Sequence, residues 1–288
     1  MKSIKLLLLS LALIANFAYP MAGVATCLKK FVPKHLGATT TALLTTTPAL
    51  QYFCNSGYIK NLEQTEECLN NLPETQHIVK ELLDTYANGQ DVKIYSMREE
   101  NKHYGDAYAL TRSSQKVVCV GALDHDALKN SNDPQHYYVK GVIGHELGHV
   151  KNSPIFNTTE ISCMLAASTG LYTFLKSSLF AKTPTIIKPL VWLSAVGITA
   201  ATESITFAWL QIPNEYYADQ NVIKHTKDPK ILRAYASGTR ANYCGNVTYL
   251  GISSYTNPEP HQDCLVRAQA FEKAADELEK RLSQQKSL

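Results

Sequence analysis

Two histidines and a glutamate lie close together near the middle of the chain, within residues 141–152. His145 and His149 are four residues apart, so on an α-helix both imidazoles project from one face and can bind one cation. Glu146 would lie beside that cation, where a carboxylate can accept a proton from a zinc-bound water. The pattern H-E-x-x-H therefore predicts zinc-dependent hydrolysis. The alternative is an amphipathic helix whose histidines fall four apart by chance.

The residues around this motif predict that it lies on a helix. Asp133 followed by Pro134 is typical of a helix start. Apolar residues then recur at helical spacing, at Val139, Val142, Ile143, Leu147 and Val150. Gly144 and Gly148 each cost about 1 kcal/mol relative to alanine inside a helix. Their presence indicates that another element, or the metal, packs closely against that surface.

A second pair of reactive side chains, Glu215 and Asp219, is again spaced by one helical turn. Pro213 comes just before the pair and predicts that a helix begins there. A zinc ion bound by two histidines needs a third protein ligand, and Glu215 is the candidate. Asp219 would accept a hydrogen bond from a ligand histidine and so fix its tautomer. The alternative is an exposed acidic pair with no part in a site.

The composition is that of a globular protein, with 45% hydrophobic and 18% charged residues in 288. The formal net charge is only +3, and two of the lysines lie in an N-terminal segment that we expect to be removed. This near-neutral balance gives no sign of the basic surface with which proteins bind nucleic acid. We expect a single domain over residues 26–288.

Residues 1–25 have the pattern of a secretory signal peptide. Lys2 and Lys5 give a positive start, an apolar run follows, and small residues such as Ala22 and Ala25 suit a cleavage site. An uncleaved membrane anchor is the alternative. Export would place the domain in the periplasm or at the outer face of the inner membrane.

All seven cysteines lie beyond this segment. In an oxidising compartment we expect some of them to pair, with Cys54–Cys68 and Cys244–Cys264 the favoured disulfides, although spacing does not fix the connectivity. No C-x-x-C spacing occurs, so the sequence contains no redox motif of that kind and no structural zinc site made of thiolates.

Three short strand-like segments precede the helix that carries H-E-x-x-H, which we call the metal helix. They lie at 92–95, 106–110 and 116–121 and predict a small sheet. If the last of them forms an edge, a substrate peptide can add to the sheet there by main-chain pairing. The candidate substrate strand comprises Lys116, Val117, Val118, Cys119 and Val120. An ordinary strand with no substrate role is the alternative. Amphipathic helices predicted over 75–86 and 265–278 make the fold class α+β and mainly helical.

Two apolar stretches between residues 161 and 210 separate the two motifs. Lys176 interrupts the first and Glu203 the second, so each has fewer than the roughly 20 apolar residues of a membrane-spanning helix. If they do span a bilayer, Lys176, Lys182 and Lys188 fall at the inner loop, as the positive-inside rule prefers. The alternative is a pair of buried or membrane-surface helices in the same domain.

The two motifs together resemble the signature of the gluzincin metallopeptidases, which include the HtpX membrane protease, the periplasmic BepA-type proteases and the CAAX prenyl endopeptidases. That signature is H-E-x-x-H followed well downstream by E-x-x-x-D, here residues 145–149 and 215–219. The resemblance covers roughly residues 75–280. It also gives a reason for apolar helices between the motifs, which are common in the family.

This chain departs from the family pattern at two places. The family has Asn-Ala in a strand before the metal helix, where this chain has Asp106-Ala107. Near the C-terminus the family often has Thr-His-Pro and then an arginine, whereas this chain has Thr-Asn-Pro at 256–258 and then Arg267. In BepA-type relatives that histidine can contact the zinc. His261 is therefore the candidate oxyanion donor or fourth ligand, with a surface histidine as the alternative.

The resemblance implies a zincin-type metallopeptidase with a small sheet beside the H-E-x-x-H helix and one Zn²⁺ per chain. His145, His149 and Glu215 would bind the ion, and Glu146 would act as general base on peptide or unfolded protein substrates. A role in envelope protein quality control and membrane association are further expectations. The alternative functions are a non-catalytic zinc-binding chaperone of the same fold and a membrane-embedded protease. The sequence does not fix the oligomeric state.

Overall fold

A computed structural model describes residues 54–97, 105, 107–111, 115–185, 187–243 and 264–286. The strands are β1 (Glu67–Cys68), β2 (Val92–Met97), β3 (Ala107–Leu110) and β4 (Lys116–Gly121). A 3-10 turn, Leu69–Asn71, follows β1. The helices are α1 (54–65), α2 (Gln76–Tyr86), α3 (Ala122–Lys129), α4 (His136–Lys176), α5 (Ser178–Lys182), α6 (Lys188–His225), α7 (Pro229–Tyr243) and α8 (Cys264–Lys286).

The four strands form one mixed sheet in the order β1-β2-β4-β3. β2 and β4 pair in parallel, and the outer strands β1 and β3 run antiparallel to their neighbours. All three predicted strands are therefore present, and the predicted class, α+β and mainly helical, is confirmed.

The alternating side chains of the sheet supply two layers of core, as a strand with period two requires. Ile94 and Val118 face the helices α2 and α4 and belong to the main hydrophobic core. Their neighbours Tyr95 and Cys119 face the other way and pack with Ile59 on α1. The sheet is thus covered on both faces, and one of its covering helices is the metal helix.

The metal helix α4 begins slightly later than the sequence predicts. The Asp133 carboxylate accepts a hydrogen bond from the backbone N–H of Gln135 at 2.8 Å, so it caps a short turn, and α4 starts at His136. The predicted apolar stripe is buried, with Val139, Ile143 and Leu147 all at 0% exposure.

The predicted helix start at Pro213 is wrong. Pro213 lies inside α6, which continues without a break from Lys188 to His225. Proline lacks a backbone N–H and removes one hydrogen bond from a helix interior. The extended packing of α6 along α4 compensates for that loss, and α4 itself contains Pro154.

The apolar segment between the motifs therefore continues the two helices that carry them, α4 and α6. The second half of α4, the short helix α5 and the first half of α6 form a hairpin, which we call the apolar hairpin (161–202). Large apolar side chains on this hairpin are exposed, among them Leu190 and Ile198, so of the predicted alternatives, buried or membrane-surface helices, burial does not hold for these positions. In the described part of the chain, no helix has both the length and the apolarity to cross a membrane.

The predicted disulfide between Cys54 and Cys68 is also wrong, since both side chains are free thiols. α1 packs onto the sheet through Ile59 and Leu62, which leaves Cys54 exposed at its start. Cys264 is disulfide-bonded. Cys244 lies outside the described residues, so its pairing with Cys264 stays a prediction.

Candidate metal centre

Three predicted ligands from two helices converge on one point. α4 presents His145 and His149 one turn apart, and α6 presents Glu215 opposite them. The Nε2 atom of His145 lies 3.0 Å from Glu215 Oε2, and the Nε2 atom of His149 lies 3.3 Å from Glu215 Oε1. The two Nε2 atoms are 3.1 Å apart. In the described part of the chain, these residues are the one group of three such donors close enough to share an ion.

These spacings fit a tetrahedral zinc ion. Zinc binds imidazole nitrogen and carboxylate oxygen at about 2.0–2.2 Å, which places neighbouring ligand atoms roughly 3.3 Å apart. The observed separations of 3.0–3.3 Å are close to that value. With Nδ1 of His145 committed as a donor to Asp219 at 2.8 Å, its Nε2 lone pair is left to face the other two ligands. One cation at the centre would satisfy all three donors.

Asp219 occupies the position that the sequence predicts. Its carboxylate accepts a hydrogen bond from Nδ1–H of His145 at 2.8 Å, which holds the ring in the tautomer whose Nε2 can bind metal. Burial lowers the pKa of His145, but the hydrogen bonds to Asp219 and Glu215 outweigh it and raise that pKa to about 10. The surroundings therefore favour positive charge at this imidazole, and a metal cation supplies that charge as well as a proton does.

Arg267 on α8 extends this chain of contacts one residue further from the metal site. Its Nε and Nη2 atoms donate to the two carboxylate oxygens of Asp219 at 2.6 and 2.7 Å. Burial would raise the pKa of Asp219, but His145 and Arg267 hold it below its ordinary range. Arg267 also reaches the Tyr235 hydroxyl at 3.4 Å, and the Tyr235 ring stacks on the His145 ring at 6.1 Å. α7 and α8 thus support the ligand histidine from behind.

The sequence did not assign roles to Arg267 and Tyr235. Arg267 was visible as the arginine of the family pattern, but its partner could not be read from spacing because Asp219 lies 48 residues away. Tyr235 gave no signal beyond its place in a helix. Both contacts depend on how α7 and α8 pack, which the residue pattern does not encode.

The two motif glycines explain how the helices approach closely enough to share an ion. A Cβ added to Gly148 would lie 2.7 Å from the backbone Cα of Ala218 on α6. A Cβ added to Gly144 would lie 3.0 Å from the Tyr86 ring on α2. The predicted close packing at Gly144 and Gly148 is confirmed, and at Gly148 the packing element is the helix that carries Glu215.

Glu146 shares a helical turn with both histidines, and its residue is only 9% exposed. A carboxylate held out of bulk water beside a cation is suited to accept and return protons. His261, the candidate oxyanion donor or fourth ligand, lies outside the described residues. So does Asp106, which stands where the family has the asparagine of Asn-Ala.

The predicted substrate strand is not at the edge of the sheet. β4, which contains Lys116–Val120, pairs with β2 on one side and with β3 on the other. Its main-chain groups are therefore already used, and a peptide cannot add to it. Among the described strands, the edge on this side is β3, which also packs against α4.

A mainly helical α+β fold that brings H-E-x-x-H and a glutamate from a second helix to one point defines a zincin-type metallopeptidase. The chain matches peptidase family M48 over residues 71–262 and belongs to that family. The predicted gluzincin relationship is thereby confirmed. M48 metallopeptidases use zinc, so the family and the donor set indicate the same metal.

The fold is similar to the crystal structure of S. mikatae Ste24p. The TM-score is 0.56 at 15% sequence identity, and the match covers 93% of this chain and 67% of that chain. At this identity the likeness concerns the fold. No curated protein matches the chain.

Proposed function

We propose that this metalloprotease is an exported zinc endopeptidase that binds one Zn²⁺ per chain through His145, His149 and Glu215. The observation that carries the proposal is the convergence of these three donors at separations of 3.0–3.3 Å within the H-E-x-x-H and E-x-x-x-D helices. The N-terminal signal pattern supports export, and with it a role in envelope protein quality control on unfolded proteins.

The proposed chemistry assigns Glu146 as the general base and acid. When bound, zinc would lower the pKa of a coordinated water to about 7 and polarise the substrate carbonyl. Glu146 accepts the proton as the carbonyl is attacked and then returns it to the leaving amine. Asp219 keeps His145 in the metal-binding tautomer throughout, since it accepts the Nδ1 proton and is itself held by Arg267.

We assign substrate binding to β3 in place of β4. β3 is the edge of the described sheet next to β4, and Ala107 and Ala109 on it pack towards the core that contains α4. Tyr108 and Leu110 turn to the opposite core layer, so one face of the strand adjoins the metal helix. An extended peptide that pairs with β3 would be recognised mainly through its backbone, which suits unfolded substrates of varied sequence.

A Glu146→Gln variant tests the proposal against a non-catalytic zinc protein. We expect it to keep the zinc content of the wild type and to lose casein hydrolysis by at least about a thousandfold, because the amide cannot accept the proton. Glu277→Gln makes the same change at an exposed carboxylate on α8 and should change neither quantity.

Hydrolysis by the wild type should stop with a chelator and return with zinc. Residual activity of Glu146→Gln above a thousandth of the wild type would reject the base assignment. A zinc-loaded wild type that never cleaves casein or other unfolded proteins would favour the chaperone alternative.

A further inference from the structure

The residue that leads into β3 is bound by a buried carboxylate that the proposed reaction does not use. Gly105 lies two residues ahead of Ala107, where β3 begins, and its backbone N–H donates to Asp124 Oδ1 at 2.9 Å. Asp124 lies in the first turn of α3 and is 0% exposed. The Gly105 carbonyl accepts a hydrogen bond from the Ala107 N–H at 2.9 Å. Asp124 therefore holds the backbone at the entry to the edge strand.

Tyr138 on α4 packs against Gly105 as well. A Cβ added to Gly105 would lie 2.5 Å from the Tyr138 hydroxyl oxygen, and Gly105 has a φ of +92°, so both the contact and the backbone favour glycine. The Tyr138 side chain has little room to move away, because it is 4% exposed and a Cβ added to Gly238 of α7 would overlap its ring. Two helices thus hold residue 105 in place.

The same tyrosine belongs to a row of three rings that ends at the metal centre. The Tyr138 and Tyr235 ring centroids are 6.0 Å apart, and those of Tyr235 and His145 are 6.1 Å apart, both pairs stacked. Tyr138 and His145 are seven residues apart, so both project from one side of α4. All three rings are buried. The start of β3 therefore packs against the side chains that support the ligand histidine.

The opposite end of the sheet is also bound to α4, so β3 runs alongside the metal-binding turn. Lys116, the first residue of β4, donates to the Val150 carbonyl at 3.4 Å. β3 is antiparallel to β4, and Leu110 at its end pairs with Val117, next to Lys116. One end of β3 thus lies near residue 138 of α4 and the other near residue 150, on either side of the H-E-x-x-H turn.

We propose that Asp124 and Tyr138 are positioning residues, which hold the start of β3 beside the metal helix so that an extended substrate lies along the metal centre. The role rests on the proposed pairing of substrate with β3. A strand that is already ordered loses less conformational entropy when a peptide pairs with it, and binding is tighter for that reason. The bound peptide is also held at a fixed distance from the metal ligands. Both residues act through the backbone of residue 105, and neither transfers a proton.

A glycine substitution and its rescue test the contact at residue 105. Gly105→Ala adds a Cβ 2.5 Å from the Tyr138 hydroxyl. We expect the KM for casein to rise about tenfold, as when one residue must be ordered on binding, while kcat and zinc content stay within about twofold. Tyr138→Phe removes the hydroxyl and should restore part of the KM in the double variant. The matched control is Gly89→Ala, which also has a positive φ, +69°, but nothing within 4 Å of the new Cβ; its KM should equal that of the wild type.

Two variants of Asp124 test the hydrogen bond. Asp124→Asn keeps a side-chain oxygen that can accept from the Gly105 N–H, whereas Asp124→Leu has the same branching and no acceptor. We expect Asp124→Leu to raise the KM about tenfold and Asp124→Asn to raise it by less than about threefold. Fluorescence anisotropy of a labelled casein fragment, bound to the zinc-loaded Glu146→Gln protein, should show affinity losses of the same size without any turnover.

Kinetics and binding together separate this role from the proposed function. A wild type that neither cleaves nor binds unfolded protein would reject both. An active wild type whose KM is unchanged by Gly105→Ala and Asp124→Leu would overturn the positioning role alone. A loss of zinc, or a fall in kcat at constant KM, would overturn it too, because both residues would then support the metal centre instead. So would a Gly89→Ala control that raises the KM as much as Gly105→Ala does. If Asp124→Leu fails to fold, Gly105→Ala and its rescue by Tyr138→Phe decide the question.

Discussion

Replacing Arg267 with methionine tests whether the residues behind the metal centre hold it together. The Arg267 side chain is 3% exposed and makes two short hydrogen bonds to Asp219, at 2.6 and 2.7 Å. Removing one member of a buried ion pair costs about 3–5 kcal/mol in the free energy of unfolding. His145 remains as a partner of the Asp219 carboxylate, so we expect a loss near the lower end of that range. Loss of a partner that orients a metal ligand lowers metal affinity by about 10–100-fold.

The chain supplies a matched control for this change, a second arginine that pairs with a carboxylate on a neighbouring helix. Arg240 on α7 donates to Glu272 on α8 at 2.7 Å, the same length, but the two side chains are 44% and 39% exposed. An exposed pair of this kind contributes at most about 1 kcal/mol. Arg240→Met should therefore lower the free energy of unfolding by less than 1 kcal/mol and leave zinc affinity unchanged.

The assay is denaturant unfolding of the metal-free protein together with zinc competition against a chromophoric chelator. An Asp219→Asn/Arg267→Met double variant separates the loss of stability from the loss of His145 orientation. It removes the buried carboxylate charge that loses its arginine partner in the single variant. We expect it to recover part of the stability and none of the zinc affinity. The reasoning fails if Arg267→Met costs no more than Arg240→Met, or if its zinc affinity falls by less than about twofold.

Two further predictions concern the packing around the centre. Gly148→Val should lower the free energy of unfolding by about 1–3 kcal/mol and weaken zinc binding, because its Cβ would lie 2.7 Å from the Ala218 backbone. The control Gly170→Ala has nothing within 4 Å of the new Cβ and should be neutral or stabilising. Equal melting temperatures for these variants would contradict the close approach of α4 and α6. Burial raises the pKa of Tyr86 to about 12, while its hydroxyl lies 2.6 Å from Thr226. The unfolded chain therefore ionises this tyrosine at a lower pH than the folded protein does. The free energy of unfolding should fall as pH rises from about 10 to 12, by up to about 1.4 kcal/mol per pH unit. Tyr86→Phe should make that decline shallower, and an unchanged slope would refute the raised pKa of Tyr86.

The metal ligands could be predicted from the sequence because their information is local. His145 and His149 on one helix and Glu215 and Asp219 on another are each spaced by one turn, and the period of a helix alone places each pair on one face. The glycines of the motif carried the same kind of information, since each costs helix stability unless something packs against it. That the two helices meet was implied by the family resemblance and by the ligand count of zinc.

The features that were predicted wrongly depend on long-range arrangement. β4 has the alternation of a strand, but alternation does not reveal that it lies between β2 and β3, so the edge was assigned to the wrong strand. Pro213 is a reliable breaker only where local preference decides, and here the packing of a long helix overrides it. Cys54 and Cys68 are close in sequence, yet α1 carries Cys54 into solvent.

Metal analysis of the wild type beside Glu215→Ala tests the central claim most directly. The account predicts one zinc per chain in the wild type and a large loss of zinc in Glu215→Ala, because two histidines remain where three ligands converged. Glu277→Ala, which removes an exposed carboxylate from α8, should bind zinc as the wild type does. Stoichiometric zinc of unchanged affinity in Glu215→Ala would contradict the account.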